Sequence, residues 1–430
     1  MSATPLPSVA EIGALVEPAR VHRRVYTDPA IFALERERIF ARAWCYVGHE
    51  SQIPVPGSFV RASIAGRQLL TVRREDGGIS VLHNRCGHRG ALVVAERKGC
   101  ANRFRCPYHA WTFRIDGSLQ SVPVMEGYAN TSFPADDPSL GMPPVARVGT
   151  YRGFVFASLA CEGPELPVFL GPTTAAIDNI LARAPDGAIS LDGGAFRVRQ
   201  ANNWKIYLEN MHDGLHPMIV HQPSIEPARA GRRAIPPPTG ATAFALQVIA
   251  ANGQTYEAMG KLPVRLFPHG HSEMAAFRTN PAADPEFEDY RAQLVARHGE
   301  AEADRLLSDN RLSTMFYPSV SIQATSLQLR VIIPEAVDRT LIEIHSIRLL
   351  GAPESLWRRT VTLANAVHAP SSLVKHDDFA IYARVQQGLH GDSLEWIDTS
   401  RGANDDSSTS LSEAFIRNQY AAWRAYMTAP

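Results

Sequence analysis

The sequence predicts an α+β fold in two parts: a small all-β domain near the N-terminus, and a larger α+β domain whose antiparallel sheet is covered by helices. A chain of 430 residues exceeds one ordinary domain. From Trp44 onward, short β-branched runs alternate with turn pairs, as in an antiparallel meander. Beyond Ser158 helical and strand periods mix. The predicted boundaries are 1–39 for an N-terminal helical segment that packs with the larger domain, 40–160 for the small domain and 161–430 for the larger one.

Local signals predict the individual elements. A helix is expected from Pro29, because proline suits a first turn and a capping residue precedes it. Charged residues 284–308 carry apolar positions at helical spacing, which predicts a solvated amphipathic helix. Proline-rich residues 222–240 predict an irregular loop. Ser410 and Glu413 match a capping box, so a C-terminal helix should follow them. The expected strands cover 59–64, 69–72, 79–82, 320–322, 327–333 and 341–349.

Composition excludes several classes of partner. Lys plus Arg and Asp plus Glu both total 43, so the sequence gives no electrostatic reason to expect nucleic acid or an anionic membrane. The N-terminus has no charged start followed by an apolar run, and no stretch of about 18 apolar residues occurs. We therefore expect a cytoplasmic protein.

Two cysteines and two histidines carry the strongest chemical signal in the chain. They are written Cys86-Gly-His88 and, after 17 intervening residues, Cys106-Pro-Tyr-His109. One cysteine and one histidine in each loop is the ligand set of a Rieske [2Fe–2S] cluster, in which thiolates hold one iron and imidazoles the other. A structural zinc site is the alternative, but zinc fingers pair cysteine with cysteine and histidine with histidine.

A second metal site is indicated by His216 and His221, which are five residues apart. They can share a metal if the helix between them is bent, and Pro217 supplies a cause for a bend. Two histidines and one carboxylate form the facial triad of non-haem iron oxygenases. The best candidate for the carboxylate is Asp378, with Asp377 as the fallback. The alternative is that the histidines are simply polar residues on a helix.

At this point the chain resembles the large, catalytic (alpha) subunit of Rieske non-haem iron aromatic-ring-hydroxylating oxygenases, in particular the group that hydroxylates salicylate, anthranilate and terephthalate. The resemblance implies that residues 40–160 form the Rieske domain and 161–430 the mononuclear iron domain. It also implies Asp378 as the carboxylate ligand. One departure is Leu215, where the family often has tyrosine. The motifs that carry the resemblance are WCYVGHESQIPVPGSFV, CGHRG, CPYHAWTF, NNWKIYLEN, DGLHPMIVH and HDDF.

The resemblance gives Asp213 a catalytic role without making it an iron ligand. In the family the equivalent aspartate joins a cluster histidine of one subunit to an iron-ligating histidine of its neighbour. The match therefore implies a homotrimer, with electrons passing between subunits through His109, Asp213 and His216. A carboxylate that accepts two imidazole N–H bonds fixes both tautomers. The alternative for Asp213 is an ordinary aspartate on a helix surface.

The expected reaction is hydroxylation of an aromatic ring with O2, as a single hydroxyl or a cis-dihydrodiol. Arg330 and Asn210 are the candidate substrate-binding residues. Arg330 lies in a segment similar to the strand whose arginine meets the substrate carboxylate in terephthalate dioxygenases, and its planar fork suits a carboxylate. A substituted benzoate is therefore the expected substrate. A surface arginine in a salt bridge is the alternative.

The sequence contains no Gly-rich dinucleotide fingerprint after a strand, so NAD(P)H must be oxidised by a separate reductase, with or without a ferredoxin. A small β subunit that completes an α3β3 assembly is a further expected partner. Two rival functions remain at this point. One is a Rieske monooxygenase or demethylase that acts on a non-aromatic amine or an ether. The other is a pure electron carrier, which would not need so large a second domain.

Overall fold

A computed structural model of the chain describes residues 7–134, 137–277, 285–309, 311–405 and 408–429, with the backbone alone at 285 and 286. The chain forms two compact units. The small unit is Phe40–Val168, and the large unit combines Met1–Ile39 with Phe169–Pro430. Each unit is held together by its own sheets, which are described in turn.

The N-terminal segment belongs to the large unit and contains the predicted first helix. The Asp28 side chain accepts a hydrogen bond from the Ala30 N–H, and Pro29 occupies the first turn. This confirms the predicted start at Pro29, since proline needs no hydrogen-bond acceptor there. The elements of this segment are α1 (Val9–Gly13), β1 (Val16–Glu17), β2 (Arg20–His22), α2 (Arg24–Thr27) and α3 (Pro29–Glu35).

The small unit is built from three antiparallel sheets, as the meander pattern predicts. Their strand orders are β6-β5-β4-β7, β10-β9-β8 and β11-β12-β3. Cys86 and Cys106 lie in the apolar core of this unit, next to Trp111 and Phe113. The strands are β3 (Cys45–His49), β4 (Ser58–Ile64), β5 (Arg67–Arg73), β6 (Ile79–His83), β7 (Lys98–Cys100), β8 (Phe104–Arg105), β9 (Thr112–Phe113), β10 (Leu119–Ser121), β11 (Arg147–Tyr151) and β12 (Phe154–Ser158).

The small unit continues past residue 160, where the sequence placed its end, to Val168. The indole N–H of Trp44 donates to the Pro164 carbonyl at 2.9 Å. The Arg147 guanidinium donates to the carbonyls of Ala160 and Gly163 at 3.0 and 3.1 Å. These long-range bonds tie the segment after β12 to the small unit, and local sequence signals do not contain them.

The large unit is organised around a seven-stranded antiparallel sheet of order β14-β20-β19-β18-β17-β16-β15. The strands of the large unit after its N-terminal segment, including three outside this sheet, are β13 (Ile189–Ser190), β14 (Ala195–Gln200), β15 (Val264–Leu266), β16 (Ser272–Ala275), β17 (Arg311–Phe316), β18 (Val320–Gln323), β19 (Gln328–Ala336), β20 (Arg339–Ser346), β21 (Arg348–Leu349) and β22 (Trp396–Asp398). Its helices are α4 (Leu166–Leu170, across the unit boundary), α5 (Thr174–Ala182), α6 (Trp204–Met211), α7 (His216–Val220), α8 (Gln222–Arg232), α9 (Gly240–Ala251), α10 (Tyr256–Gly260), α11 (Pro285–His298), α12 (Glu300–Ser308), α13 (Glu354–Leu363), α14 (Lys375–Leu389) and α15 (Ala414–Thr428).

Three local predictions need correction. Residues 222–232 form α8 instead of a loop, because Ile225 and Ala228 bury an apolar face and Ala228 packs against α9. The helix predicted over 284–308 is two helices, α11 and α12, divided at Gly299 with φ 82°. The predicted capping box is absent: the Ser410 hydroxyl donates to the Met259 carbonyl, and α15 begins only at Ala414.

A buried ion pair joins the N-terminal segment to α6 and α15. The Glu35 carboxylate is fully buried and lies 2.6 Å from Lys205 Nζ. It also accepts from the indole N–H groups of Trp204 and Trp423 at 2.8 and 2.7 Å. Removal of one partner leaves the other charge buried and unpaired, which is far more costly than loss of a surface pair.

We expect Glu35→Gln to lower the free energy of unfolding by about 3–5 kcal/mol, because the neutral amide leaves the Lys205 ammonium unpaired. Urea denaturation followed by circular dichroism measures the change. Glu17→Gln is the matched control, since the Glu17–Arg20 pair is 42% and 49% exposed and exposed pairs contribute little to stability. If the two variants unfold at the same urea concentration, the structural role of Glu35 is wrong.

Candidate active site

The two predicted cluster loops of the small unit share one backbone conformation. In each loop the cysteine N–H donates to the carbonyl five residues later, and the cysteine carbonyl accepts from the N–H four residues later. These distances are 2.9 and 2.9 Å for Cys86, and 2.8 and 3.1 Å for Cys106. The residue four after each cysteine has a positive φ, 72° at Gly90 and 59° at Ala110. Two equivalent loops therefore present one cysteine and one histidine each.

The four side chains of these loops have atoms free for metal binding. Cys86 and Cys106 are buried, 2% and 3% exposed. Both His88 and His109 have a buried Nδ1 with no hydrogen-bond partner within the described part of the chain. Their rings are 4.8 Å apart, and Trp111 stacks on His88 at 5.0 Å. Buried ring nitrogens are rarely left without a partner, so the donor set fits a cluster held through both Nδ1 atoms.

Backbone N–H groups are available to stabilise a thiolate at Cys86. Burial and the neighbouring Cys106 thiol raise the pKa of the Cys86 thiol, and the backbone N–H groups of His88 and Arg89 oppose this rise without reversing it. Such N–H···S bonds to cluster ligands set the reduction potential. Across the described ranges, only His216, His221 and Asp378 bring three or more potential ligand atoms within 4.8 Å of one another. The loop residues do not converge on a single ion, which argues against the zinc alternative.

In the large unit, a break in the helices places the two predicted iron ligands together. α6 ends at Met211, and His216 begins the five-residue helix α7 with Pro217 in its first turn. His221 follows α7 in a non-helical conformation, φ −94° and ψ 13°. The two imidazole rings lie 5.6 Å apart. The bend predicted from Pro217 is thus an interruption on both sides of α7.

Asp378, in the first turn of α14, completes a group of three. Its Oδ1 lies 3.7 Å from His216 Nε2 and 3.5 Å from His221 Nε2. These separations are too long for good hydrogen bonds, yet they suit three atoms that each lie about 2 Å from one shared metal ion. Asp378 Oδ1 is buried and has no partner among the described residues. The geometry therefore fits a two-histidine, one-carboxylate centre.

Charges around the triad keep its donors in the form that binds a metal. Burial raises the pKa of Asp378, but the Lys375 ammonium, 2.8 Å from Oδ2, together with His216 and His221 outweighs it, and the net pKa is lowered. Burial also lowers the pKa of His216 and of His221, so both imidazoles are neutral near pH 7. Lys375 holds one carboxylate oxygen and leaves Oδ1 for the metal.

The other ring nitrogens of the two histidines face carboxylates. His221 Nδ1 is 3.5 Å from Asp377 Oδ2, and His216 Nδ1 is 3.9 Å from Asp213 Oδ2. A carboxylate on Nδ1 favours a proton there and leaves the Nε2 lone pair for a metal. Asp377, the fallback ligand of the sequence prediction, thus lies on the far side of His221 from Asp378 Oδ1.

Asp213 is held by its own loop. Its Oδ1 accepts from the Leu215 N–H at 2.7 Å and lies 3.6 Å from Arg401 Nη2. The other carboxylate oxygen, Oδ2, faces His216 Nδ1. A side chain anchored through one oxygen presents the other in a fixed direction, as a bridge between two imidazoles requires.

Both candidate substrate-binding residues are hydrogen-bonded to neighbouring side chains of the large unit. Arg330 is in the interior strand β19 and only 5% exposed, so the surface-arginine alternative is wrong. No ion pair among the described residues includes Arg330; its Nη2 bonds Gln328 Oε1 at 3.3 Å and His368 Nδ1 at 2.9 Å. Asn210 Oδ1 accepts from the Tyr382 hydroxyl at 2.6 Å.

Tyr382 links these residues to the metal triad. Its hydroxyl oxygen lies 3.4 Å from Lys375 Nζ. Burial raises the pKa of Tyr382, the Asp378 carboxylate raises it further and the Arg330 guanidinium lowers it. Since both charges act on one phenol, Arg330 and Asp378 belong to the same neighbourhood of the large unit.

Comparisons with known proteins agree with both halves of this geometry. Residues 43–134 match the model of the Rieske [2Fe-2S] domain, and residues 187–429 match that of the ring hydroxylating alpha subunit (catalytic domain). The chain belongs to the ring-hydroxylating alpha-subunit family. It is an oxidoreductase of the Rieske oxygenase type, which incorporates O2 into aromatic rings, with a [2Fe–2S] cluster and a mononuclear iron as its cofactors.

Among relatives, the large subunit of anthranilate 1,2-dioxygenase from Acinetobacter baylyi is 30% identical, over 89% of this chain and 80% of that protein. The alpha subunit of toluate 1,2-dioxygenase from Pseudomonas putida is 31% identical, over 89% and 82%. A solved structure of naphthalene 1,2-dioxygenase with indole bound has a TM-score of 0.79 at 22% identity, and covers 96% of this chain and 94% of that one. The predicted α+β fold and the suspected family are confirmed.

Sequence reasoning gave no role to four residues of this site: Gln328, His368, Lys375 and Tyr382. Lys375 lies three positions before Asp378 on the same helix, so helical spacing alone could have found their contact. Strand alternation placed Gln328 on the same face as Arg330 without giving it a role. His368 gave no signal, because it is separated from Arg330 by 38 positions and the contact depends on tertiary structure. Among the helices in the described ranges, none is both long and apolar enough to cross a membrane.

Proposed function

We propose that this chain is the terminal oxygenase subunit that hydroxylates the ring of an aromatic carboxylate, such as a substituted benzoate, by mono- or cis-dihydroxylation. The observation that carries the substrate class is the buried guanidinium of Arg330, which has no carboxylate partner among the described residues. A buried cation without an anion is unfavourable, so a ligand that supplies a carboxylate is stabilised there. The relatives named for anthranilate and toluate support the same class.

In this proposal His216, His221 and Asp378 hold the mononuclear iron, and Cys86, His88, Cys106 and His109 hold the cluster. The bound iron supplies the site at which O2 is activated, and the cluster supplies an electron. The protein's part is to fix the donors: Lys375 orients Asp378, and Asp377 sets the tautomer of His221.

We further propose that electrons cross between subunits of a homotrimer. Asp213, anchored through Oδ1 and with Oδ2 facing His216 Nδ1, would accept a second imidazole N–H from His109 of the partner subunit. A head-to-tail contact of this kind closes into a ring. In the same proposal the electrons come from a separate NAD(P)H-dependent reductase, with or without a ferredoxin, and a small β subunit is a further component of the assembly.

Arg330→Leu should raise the KM for an aromatic acid about tenfold or more, because a charge-assisted hydrogen-bond pair to the carboxylate is lost. Iron content and the cluster spectrum should be unchanged. Arg197→Leu is the matched control: Arg197 lies on edge strand β14 of the same sheet and pairs with Glu343 at 2.6 Å. An equal KM in wild type and Arg330→Leu would remove the carboxylate contact from the proposal.

The proposed reaction is tested by O2 consumption over a panel of benzoates, salicylates, anthranilates and neutral arenes, with a surrogate reductase and isotopically labelled O2. Stimulation by aromatic acids, with labelled oxygen in a ring hydroxyl, is the expected result. Stimulation only by amines or ethers, with loss of an alkyl group, would replace the proposal with demethylation. One labelled oxygen in the product indicates monohydroxylation and two indicate dihydroxylation.

A further inference from the structure

His368 occupies an unusual place in the helical layer beside Arg330. It ends a π-helical turn, Ala364–His368, that follows α13. Short π-helical turns inside helices occur frequently at functional sites. His368 is only 8% exposed, and its Nδ1 lies 2.9 Å from Arg330 Nη2. The chain thus brings a buried histidine against a buried arginine that has no carboxylate partner in the described ranges.

The arginine determines which nitrogen of His368 carries the proton. A guanidinium can only donate hydrogen bonds, so Nδ1 must accept through its lone pair. Burial, together with the charges of Arg330 and Lys375, lowers the pKa of His368 well below its ordinary value, and the ring is neutral. The single ring proton is therefore on Nε2. No hydrogen bond from Nε2 occurs within the described part of the chain.

Gln328 adds another free donor by the same reasoning. Its Oε1 accepts from Arg330 Nη2, so its amide nitrogen faces away from the arginine. That Nε2 is fully buried and has no acceptor among the described residues, and neither has Arg330 Nε. Gln328 and Arg330 thus each hold a buried donor without a partner among the described residues, and His368 Nε2 offers a third donor beside them. Unsatisfied buried donors are costly, and a ligand with several acceptors relieves the cost.

The free donors of Arg330 and His368 point to different positions, so they bind two different groups of one ligand. Nδ1 and Nε2 lie on opposite sides of the imidazole, so an acceptor on Nε2 lies about 7 Å from Arg330 Nη2 when both hydrogen bonds have ordinary lengths. A carboxylate bound to the guanidinium does not reach that position, because the Nε2–H points away from Arg330. The site therefore holds a place for a second, separate acceptor.

We propose that His368 is a specificity-determining residue that selects aromatic acids with a second hydrogen-bond acceptor on the ring, such as a hydroxyl or a second carboxylate. Arg330 and Gln328 receive the first carboxylate, and the Nε2–H of His368 donates to the second group. This inference rests on the proposed function and narrows its substrate class from benzoates in general to benzoates with a second polar group.

A matched pair of variants tests it. Asn at position 368 keeps an acceptor near Nδ1 for Arg330 but lacks the distal donor, whereas Gln places an amide N–H near the position of Nε2. Isothermal titration calorimetry on the anaerobic holoenzyme measures the Kd of benzoate, the three hydroxybenzoates and the three benzenedicarboxylates. We expect wild type to bind at least one disubstituted acid about tenfold more tightly than benzoate. The preference should fall to near unity in His368→Asn and be largely kept in His368→Gln.

The outcomes distinguish a failure of the proposed His368 role from a failure of the proposed function. A preference that is absent in wild type, that survives in His368→Asn or that disappears equally in both variants would overturn the role of His368. Benzoate would still bind in those cases, and the proposed function would stand. If no aromatic acid binds to wild type while neutral arenes do, the proposed carboxylate substrate is itself wrong.

Discussion

His216→Ala is expected to remove the mononuclear iron and to lower turnover by about a thousandfold or more, while the cluster keeps its colour and absorption spectrum. His216 Nε2 is one of the three atoms that converge on the ion position, 3.7 Å from Asp378 Oδ1. Without it, a histidine and a carboxylate remain, which is too few protein ligands for a stable facial site. Iron and acid-labile sulfide analysis should change from about three irons per two sulfides to about two per two.

The control for this variant is a histidine of the same unit outside the site. We choose His390→Ala, because His390 lies at the exposed C-terminal end of α14, the helix that also carries Asp378. It should retain the full iron content and full turnover. Retention of the third iron, or of turnover, in His216→Ala would remove His216 from the metal site.

Asp213→Asn should lower steady-state turnover about 100-fold while both metal centres stay loaded. The amide has one acceptor oxygen in place of two and no charge, and loss of a carboxylate that orients a metal-bound histidine typically costs 10- to 100-fold. Oδ1 already accepts from the Leu215 N–H, so the amide nitrogen is directed at His216 and repels its Nδ1–H. Stopped-flow spectroscopy measures re-oxidation of the reduced cluster after mixing with substrate and O2, and this step should be slowed.

Asp377→Asn gives the comparison for Asp213, since Asp377 faces the other iron-site histidine at 3.5 Å. Its effect should appear in iron affinity, with cluster re-oxidation unchanged once iron is bound. If Asp213→Asn re-oxidises its cluster at the wild-type rate, electrons do not pass through Asp213 and the bridge is wrong.

Motif spacing and local periodicity were sufficient for most of the fold. The Cys86 and Cys106 loops, the strands from β4 to β6 and the start of α3 all follow from nearby residues, because turn pairs, capping and alternation are local properties. The pairing of His216 with His221 is also local. Asp378 was the preferred member of the acidic pair and the family resemblance supported it, but the sequence distance from His221 contains no information about contact.

What the sequence could not give depends on tertiary packing. The α8 helix forms in a proline-rich segment because Ala228 packs on α9, and propensity alone predicts the opposite. The burial of Arg330 follows from its position in β19, between β18 and β20. Its contact with His368 requires the π-helical turn after α13. These features decide substrate binding, and periodicity does not encode them.

In the proposed mechanism, the cluster of one subunit serves the iron of its neighbour. Co-expression of Cys106→Ser, which lacks the cluster, with His216→Ala, which lacks the iron, tests it by measuring product formation in the purified mixed assembly. Each variant alone should be inactive. Transfer between subunits of a ring predicts about one quarter of wild-type activity, since that fraction of neighbouring pairs in an equal mixture joins an intact cluster to an intact iron site. No activity in an assembly shown to contain both chains would contradict the account, because transfer within one chain cannot be rescued by mixing.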